Sequence, residues 1–198
     1  PGTHDARLVS NVSLNGDSLM PTTEGKSLTT NGLVVGQVVS ASVTHHAALD
    51  IGDQGTIVFI RKKTTNCAAF TGCYTKDDGD GTDRFVIYLA DSAFYIVRVF
   101  TGAGTNIIAG NSIALGTHIV AVTWNSPNLQ VFIDGNNIYD QNTWVTPAAS
   151  TQWVGLGNLT YNASSEPGCD NEAIQGVAYW NVVKTEAQLD VLVGAAGF

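Results

Sequence analysis

The densest group of potential ligand atoms in this sequence is an acidic, glycine-rich segment at residues 77–83. Carboxylates interrupted by glycine allow side-chain and backbone oxygens to converge on a hard cation such as Ca²⁺. The segment departs from the EF-hand pattern, because Asp83 occupies the position of the required Gly and Leu89 that of the bidentate Glu. A solvated turn between two strands is the simpler interpretation. If calcium binds, the expected ligands are Asp77, Asp78, Asp80 and Asp83.

The cysteines offer a second kind of chemistry. Cys67 and Cys73 are close enough in one predicted loop to close a small disulfide ring, which leaves Cys169 over, although Cys169 could instead pair with either of them. A disulfide would indicate an oxidising environment. The sequence has no CxxC pair and no Cys/His ligand spacing, so we do not expect a structural zinc site.

Exposed aromatic rings are a third route to ligand binding, because they stack on the apolar faces of sugar rings. Trp144 lies in a turn-rich segment and Tyr161 in a polar loop, with Trp153 nearby in sequence. Trp124 and Trp180 lie in strand-like segments, where large apolar side chains are usually buried. We therefore take Trp144, Trp153 and Tyr161 as the candidate ligand-binding residues.

The histidines do not indicate catalysis. His45 and His46 are adjacent, and neighbouring strand residues point to opposite faces, so surface positions are expected rather than a shared metal or sugar site. His118 begins a strand-like run, and no Ser or Cys nucleophile motif accompanies it. A packed or hydrogen-bonded imidazole is the expectation for His118, and no catalytic residue is assigned.

The elements that must position these residues are β-strands, and residues 116–135 show this most clearly. Alternate residues from 118 to 124 fall on two faces that are both largely apolar, which is typical of a strand covered on both sides. Residues 125–128 supply a turn, and residues 129–133 return as a second strand. The hairpin ends in Asp134-Gly135, which we interpret as turn chemistry rather than as a catalytic acid.

Further strand-like segments occur along most of the chain, at residues 8–14, 33–43, 56–61, 84–89, 94–100, 151–157 and 173–180. Thr185 can cap one helix that runs from Glu186 to Val193 and stops at Gly194. This pattern predicts an all-β fold, a two-sheet antiparallel jelly-roll sandwich with one short C-terminal helix. We expect one domain over residues 1–198, with residues 1–40 as an N-terminal extension that contributes edge strands.

Composition limits the partners. The formal net charge is −8 and the basic residues are dispersed, so a nucleic-acid partner is not expected. No apolar run approaches the roughly 20 residues that span a bilayer, and the N-terminus resembles no leader. The chain begins at Pro1 without Met, which indicates processing or recombinant truncation. With only 13% charged residues, solubility depends on Asn, Thr, Ser and Gln, as in many extracellular and virion proteins.

The order of these segments resembles the laminin-G-like jelly rolls of the concanavalin-A-like lectin/glucanase superfamily. Residues 46–52 and 56–60 are similar to the approach to the family's first long core strand, and residues 116–135 to its central hairpin. Residues 154–157 and 176–189 are similar to the next strand and to the closing strand with its short helix. The resemblance implies the jelly-roll sandwich, and calcium binding at the rim of related domains agrees with the calcium hypothesis.

The resemblance does not imply one activity, because this superfamily contains lectins, glycanases, lyases and virion proteins. The Glu-x-Asp-x-x-Glu motif of its glycanases is absent, as are the Arg-rich and Gln-x-His motifs of its lyases. We therefore expect a non-enzymatic display or adhesion module on a virion or extracellular assembly, which recognises a glycan or protein surface and assembles with itself or a carrier protein. A secreted carbohydrate-binding lectin domain is the alternative. A polysaccharide hydrolase or lyase with an unrecognised site is the third hypothesis.

Overall fold

The computed structural model describes residues 6–8, 33–35, 40–43, 47–63, 71–77, 84–90, 94–100, 105–110, 115–142, 144–147, 149, 151, 154–157 and 172–195. The described strands are β1 Ala6–Leu8, β2 Leu33–Val35, β3 Ser40–Val43, β4 Gln54–Lys63, β5 Thr71–Asp77, β6 Arg84–Ala90, β7 Phe94–Phe100, β8 Thr105–Gly110, β9 Gly116–Asn125, β10 Asn128–Ile133, β11 Asn136–Gln141, β12 Val154–Gly157 and β13 Glu172–Trp180. A 3-10 turn occupies Ala47–Leu49, and helix α1 occupies Glu186–Ala195.

The strands form two sheets. Sheet I has seven strands in the order β1-β3-β12-β5-β6-β7-β8, and sheet II has six in the order β11-β10-β9-β4-β13-β2. The described strand pairs are antiparallel in both sheets. This jelly-roll sandwich with its short C-terminal helix confirms the predicted fold class. Strands β1 and β2 lie at sheet edges, while the assignment of residues 1–198 to one domain stays a prediction.

The strand β9 of sheet II is covered on both faces over residues 119–124, as their alternation predicted. On its inner face, the Trp124 ring of β9 lies 5.4 Å from the Phe85 ring of β6, which belongs to sheet I. On its outer face, Leu189 of α1 is 2% exposed. Leu189 packs in a cluster with five residues of β4, β9 and β10, namely Val58, Ile60, Ile119, Ala121 and Phe132. The hydrophobic core therefore has two layers, one between the sheets and one beneath α1.

The predicted hairpin and helix both occur. Strands β9 and β10 pair from Trp124 opposite Leu129 to Val120 opposite Ile133. Helix α1 begins as expected, because the Thr185 N–H donates to Oε1 of Gln188 at 3.0 Å and the Gln188 N–H points back to the Thr185 hydroxyl. This reciprocal pair is a capping box. None of the described helices is long and apolar enough to cross a membrane.

Several predicted bounds of the helix and strands were wrong. Helix α1 includes Gly194 and ends at Ala195 instead of stopping at Gly194. Within residues 33–43, Leu33–Val35 and Ser40–Val43 belong to different sheets, as β2 and β3, instead of forming one strand. Residues 71–73 of the predicted loop around Cys73 belong to β5, which also includes Asp77 as its last residue. Strands β8 and β11 were not predicted. Strand β8 has the sequence TNIIAG and β11 the mostly polar sequence NNIYDQ. Both are stabilised by pairing with neighbouring strands rather than by an alternating apolar pattern.

Candidate functional site

A polar groove lies on the outer face of sheet II, beyond the apolar cluster that α1 covers. We call it the outer-face groove. Its volume is about 300 Å³. The described lining residues come from β9, β10, β11 and the segment after β13, and they are Thr123, Trp124, Asn125, Asn128, Gln130, Asp140 and Val183. Five of the seven carry polar side chains, so the groove is a hydrogen-bonding surface rather than an apolar pocket.

Strand register explains why these polar side chains meet. Thr56 of β4 is opposite Thr123 of β9, and Thr123 is opposite Gln130 of β10. Gln130 is in turn opposite Asp140 of β11. Because side chains directly opposite each other in a sheet share a face, the four residues form one row across four strands. The row continues the face that carries the buried Ala121 and Val58.

One half of this row is buried and the other is open. Thr56 and Thr123 are 0% and 2% exposed. The Thr56 hydroxyl donates to the Val182 carbonyl at 2.9 Å and accepts from the Lys184 N–H at 2.8 Å. These two bonds fix the segment after β13 across the row, so Val183 becomes an aliphatic wall of the groove.

The open half holds the groove's hydrogen-bonding groups. Asp140 is exposed, and its Oδ2 accepts a hydrogen bond from Nε2 of Gln130 at 3.0 Å. Asn125 and Asn128 are exposed at the paired ends of β9 and β10. Amides both donate and accept, whereas a carboxylate only accepts. This set suits the hydroxyl groups of a polyol, and Val183 can contact the apolar part of such a ligand.

The groove does not have the groups required for the two-carboxylate hydrolysis of glycosides. That chemistry requires two carboxyl groups on opposite sides of the scissile bond. Asp140 is the only carboxylate among the described lining residues. Those residues also include no His, Cys, Lys or Ser that could act as a base or nucleophile. The described part of the groove therefore offers hydrogen-bonding groups without the carboxylate pair of that mechanism.

The predicted stacking role of Trp144 requires correction. Trp144 is only 3% exposed, and its ring stacks on that of Trp124 at 4.7 Å with an interplanar angle of 15°. The Phe85 ring meets it edge-on at 5.6 Å. Trp144 is therefore part of the core between the sheets, because tertiary stacking buries a residue whose local sequence is turn-rich. Trp124 is buried as predicted, and Trp153 and Tyr161 lie outside the described residues.

The predicted metal and disulfide residues are only partly described. Asp78, Asp80 and Asp83 lie outside the described residues, as do Cys67, Cys169, His45 and His46. In the part of the chain that the structure does describe, no group of three or more His, Cys, Asp or Glu residues is arranged to hold a metal ion. Calcium binding through Asp77 and its neighbours stays a prediction, and so does the bridge between Cys67 and Cys73.

A separate polar cluster joins the two sheets at one end of the sandwich. The Lys76 side chain of β5 is 3% exposed, and its Nζ lies 3.3 Å from Oδ1 of Asp50. Burial lowers the pKa of Lys76, and the Asp50 charge opposes that shift. The Tyr179 hydroxyl donates to the Asp50 carbonyl at 2.8 Å. Burial, with a smaller effect from Asp50, raises the pKa of Tyr179 to about 12. These contacts connect β5 of sheet I to β13 of sheet II and to the segment that leads into β4.

No protein-family model matches the sequence, and no curated protein matches it. The fold is similar to the binding domain of botulinum neurotoxin DC in complex with SialylT, with a TM-score of 0.71 and 12% identity over 98% of this chain and 47% of that chain. The same domain in complex with rat synaptotagmin II has a TM-score of 0.69 and 12% identity, again over 98% of this chain and 47% of that chain. The leech intramolecular trans-sialidase complexed with 2,7-anhydro-Neu5Ac has a TM-score of 0.64 and 15% identity, over 83% of this chain and 26% of that chain.

The chain spans about half the length of the neurotoxin domains that it matches. At these identities the likeness establishes the all-β sandwich fold, and it does not assign the ligands of those proteins to the shared half. The outer-face groove was not predicted from the sequence. Its one sequence signal is the polar Gln130 in the alternation of β10, on the face that carries Phe132.

Proposed function

We propose that this domain is a non-enzymatic carbohydrate-binding module of the laminin-G-like, concanavalin-A-like type, displayed on an extracellular or virion surface. The observation that carries the proposal is the outer-face groove, where one carboxylate and three amides surround a concave space beside an aliphatic wall. The sandwich positions these groups on paired strands, so little conformational entropy is lost when a ligand binds. Neurotoxin domains of the same fold in complex with SialylT and synaptotagmin II support recognition of a glycan or a protein.

The size of the groove favours a glycan over a protein. Its volume of about 300 Å³ is at the lower end for small-molecule sites. A stable protein interface buries roughly 800 Å² on each partner and usually contains a central apolar or aromatic anchor. The described lining side chains at the open end of the groove are amides and a carboxylate. A sugar residue fits this size and chemistry better than a protein surface does.

A glycan array probed with the whole chain tests the proposal. We expect binding to a defined set of glycans and at least a tenfold loss for the Gln130→Ala variant, which removes the central amide of the groove. Gln141→Ala is the matched control, because Gln141 is an exposed glutamine of β11 that does not line the groove. Unchanged binding by Gln130→Ala would place the glycan elsewhere on the domain. If the chain binds no glycan on the array, the carbohydrate-binding function is contradicted.

Incubation with the glycans bound on the array separates binding from catalysis. A binding module leaves these glycans intact, whereas a hydrolase releases reducing ends and a lyase releases unsaturated products. Detection of either product would favour the enzymatic hypothesis. A display role further implies assembly of the domain with copies of itself or with a carrier protein. Light scattering of the purified chain over a range of concentrations tests self-assembly, and a monomer at all concentrations would contradict it.

A further inference from the structure

We propose that the outer-face groove selects uncharged glycans over sialylated and other anionic ones, and that Asp140 determines this preference. The inference rests on the proposed carbohydrate-binding function and specifies the class of ligand. It runs against the ligand named for one structural neighbour, the leech trans-sialidase in complex with 2,7-anhydro-Neu5Ac. The charge and the hydrogen bonding of the groove favour neutral ligands.

The position of the Asp140 carboxylate is fixed by its neighbour in the sheet. Gln130 lies directly opposite Asp140 in the pairing of β10 with β11, and its Nε2 donates to Oδ2 of Asp140 at 3.0 Å. Gln130 supplies this hydrogen bond without a positive charge, so the negative charge of Asp140 is not neutralised by it. The carboxylate is exposed, so a ligand can reach it.

No described lining residue of the groove carries a positive charge. Lys184 follows the wall residue Val183 in sequence, but its Nζ lies over the Trp180 ring at 5.1 Å from the centroid. The formal net charge of the whole chain is −8, which makes the electrostatic potential around the groove more negative. A ligand carboxylate would therefore meet a negative potential in the groove and no described compensating cation.

The same carboxylate favours neutral sugars. A carboxylate only accepts hydrogen bonds, and hydroxyl groups of a sugar can donate to it. Such bonds to a charged acceptor are roughly twice as strong as neutral ones. A ligand carboxylate placed within about 4 Å of Asp140 would instead weaken binding by about tenfold. One residue thus attracts hydroxyl groups and repels acidic groups.

Isothermal titration calorimetry on matched pairs of glycans tests this inference. Each neutral glycan that binds on the array is compared with its sialylated counterpart. For the wild-type chain we expect the neutral member to bind at least tenfold more tightly. The Asp140→Asn variant keeps the shape of the side chain and removes its charge, so the difference should shrink to about threefold or less. Asp190→Asn removes the same charge from an exposed position of α1 and should leave the difference unchanged.

The outcomes separate this inference from the proposed function. Equal or tighter binding of the sialylated member by the wild-type chain would overturn it, and so would an unchanged difference in Asp140→Asn. Either result leaves carbohydrate binding itself intact. If no glycan binds on the array, the proposed function fails first. Circular dichroism and thermal unfolding establish that both variants are folded, so a loss of binding cannot be assigned to misfolding.

Discussion

Asp134 holds His118 at the beginning of β9, with its Oδ2 2.7 Å from Nδ1 of the imidazole. The other carboxylate oxygen, Oδ1, accepts the Ile119 N–H at 2.8 Å. Asp134 and Gly135 form the turn between β10 and β11, and their φ angles are +50° and +81°. Positive φ angles at both positions are typical of the two-residue hairpin turns that Asp-Gly favours. Asp134-Gly135 therefore has the predicted turn role, and His118 is hydrogen-bonded as expected.

Replacement of Asp134 should weaken the sandwich. In Asp134→Ala the Ile119 N–H and His118 lose their acceptor, so we expect the free energy of unfolding to fall by about 1–3 kcal/mol. Asp134→Asn should cost less, because Asn tolerates positive φ and retains one amide oxygen. Urea unfolding monitored by fluorescence measures both variants. If Asp134→Ala is as stable as the wild type, the contact does not stabilise the fold.

A second prediction concerns the close approach of β4 to an indole ring. A Cβ atom added at Gly55 would lie 2.8 Å from Cε2 of Trp124 and closer still to Cζ2. Trp124 cannot move easily, because it stacks on Trp144 and its Nε1 donates to the Gly52 carbonyl at 2.9 Å. Gly55→Ala should therefore lower the free energy of unfolding by about 2–3 kcal/mol.

Gly52→Ala is the matched control for this variant. A Cβ atom at Gly52 meets nothing within 4 Å, and the substitution keeps the carbonyl that Trp124 uses. We expect a change of less than about 1 kcal/mol. Chemical denaturation of both variants in parallel gives the comparison. Equal stability of the two alanine variants would show that the Trp124 ring can adjust to the added methyl group.

The features that could be predicted from sequence are those with a local pattern. The alternation of residues 118–124 predicts β9, and Thr185 with the following residues predicts the beginning of α1. Contacts between residues that are distant in sequence cannot be predicted from a local pattern. Trp144 lies in a turn-rich segment, yet stacking on Trp124 buries it. The indole ring of Trp144 is therefore buried in the core and cannot stack on a ligand, because of a tertiary contact that the local sequence does not reveal.

The outer-face groove was missed for a related reason. Gln130 and Asp140 meet through the register of β10 with β11, and β11 has the sequence NNIYDQ, which carries little strand signal. Thr56 and Thr123 join the row only because β4 pairs with β9. A polar residue within an apolar strand face was the available signal, but its partners depend on the pairing of four strands.

A third prediction follows from the raised pKa of Tyr179. The pKa of Tyr179 is about 12 in the folded protein, against the usual value of 10.0. At a pH between these two values, the unfolded tyrosine has lost its proton while the folded one retains it. The folded state then binds more protons, so stability falls as the pH rises through this window. Because Tyr179 is only partly buried, we expect a loss of about 1–2 kcal/mol after solvent screening.

Tyr179→Phe isolates this effect. The variant lacks the titrating group, so its stability should decline less between pH 10 and 12. At neutral pH it should be less stable by about 1 kcal/mol, because the Asp50 carbonyl loses its hydrogen-bond donor. The lowered pKa of Lys76 makes stability rise with pH below pH 10.5, which opposes the effect of Tyr179. Lys76 is present in both proteins, so its contribution cancels in the comparison. Denaturant titrations at several alkaline pH values measure the slopes, and parallel slopes would exclude Tyr179 as the cause.

The last prediction links stability to the wall of the outer-face groove. Thr56→Val keeps the shape of the side chain but removes the hydroxyl that donates to the Val182 carbonyl and accepts from the Lys184 N–H. Both groups then lose a partner beside a fully buried residue, so we expect a loss of about 1–3 kcal/mol. The segment that carries Val183 should also lose its fixed position, which weakens glycan binding. Thr56→Ser retains the hydroxyl and should bind glycan as the wild type does. Thermal unfolding and calorimetric titration on the same samples measure both effects, and equal glycan affinity in Thr56→Val would show that the wall is held by other contacts.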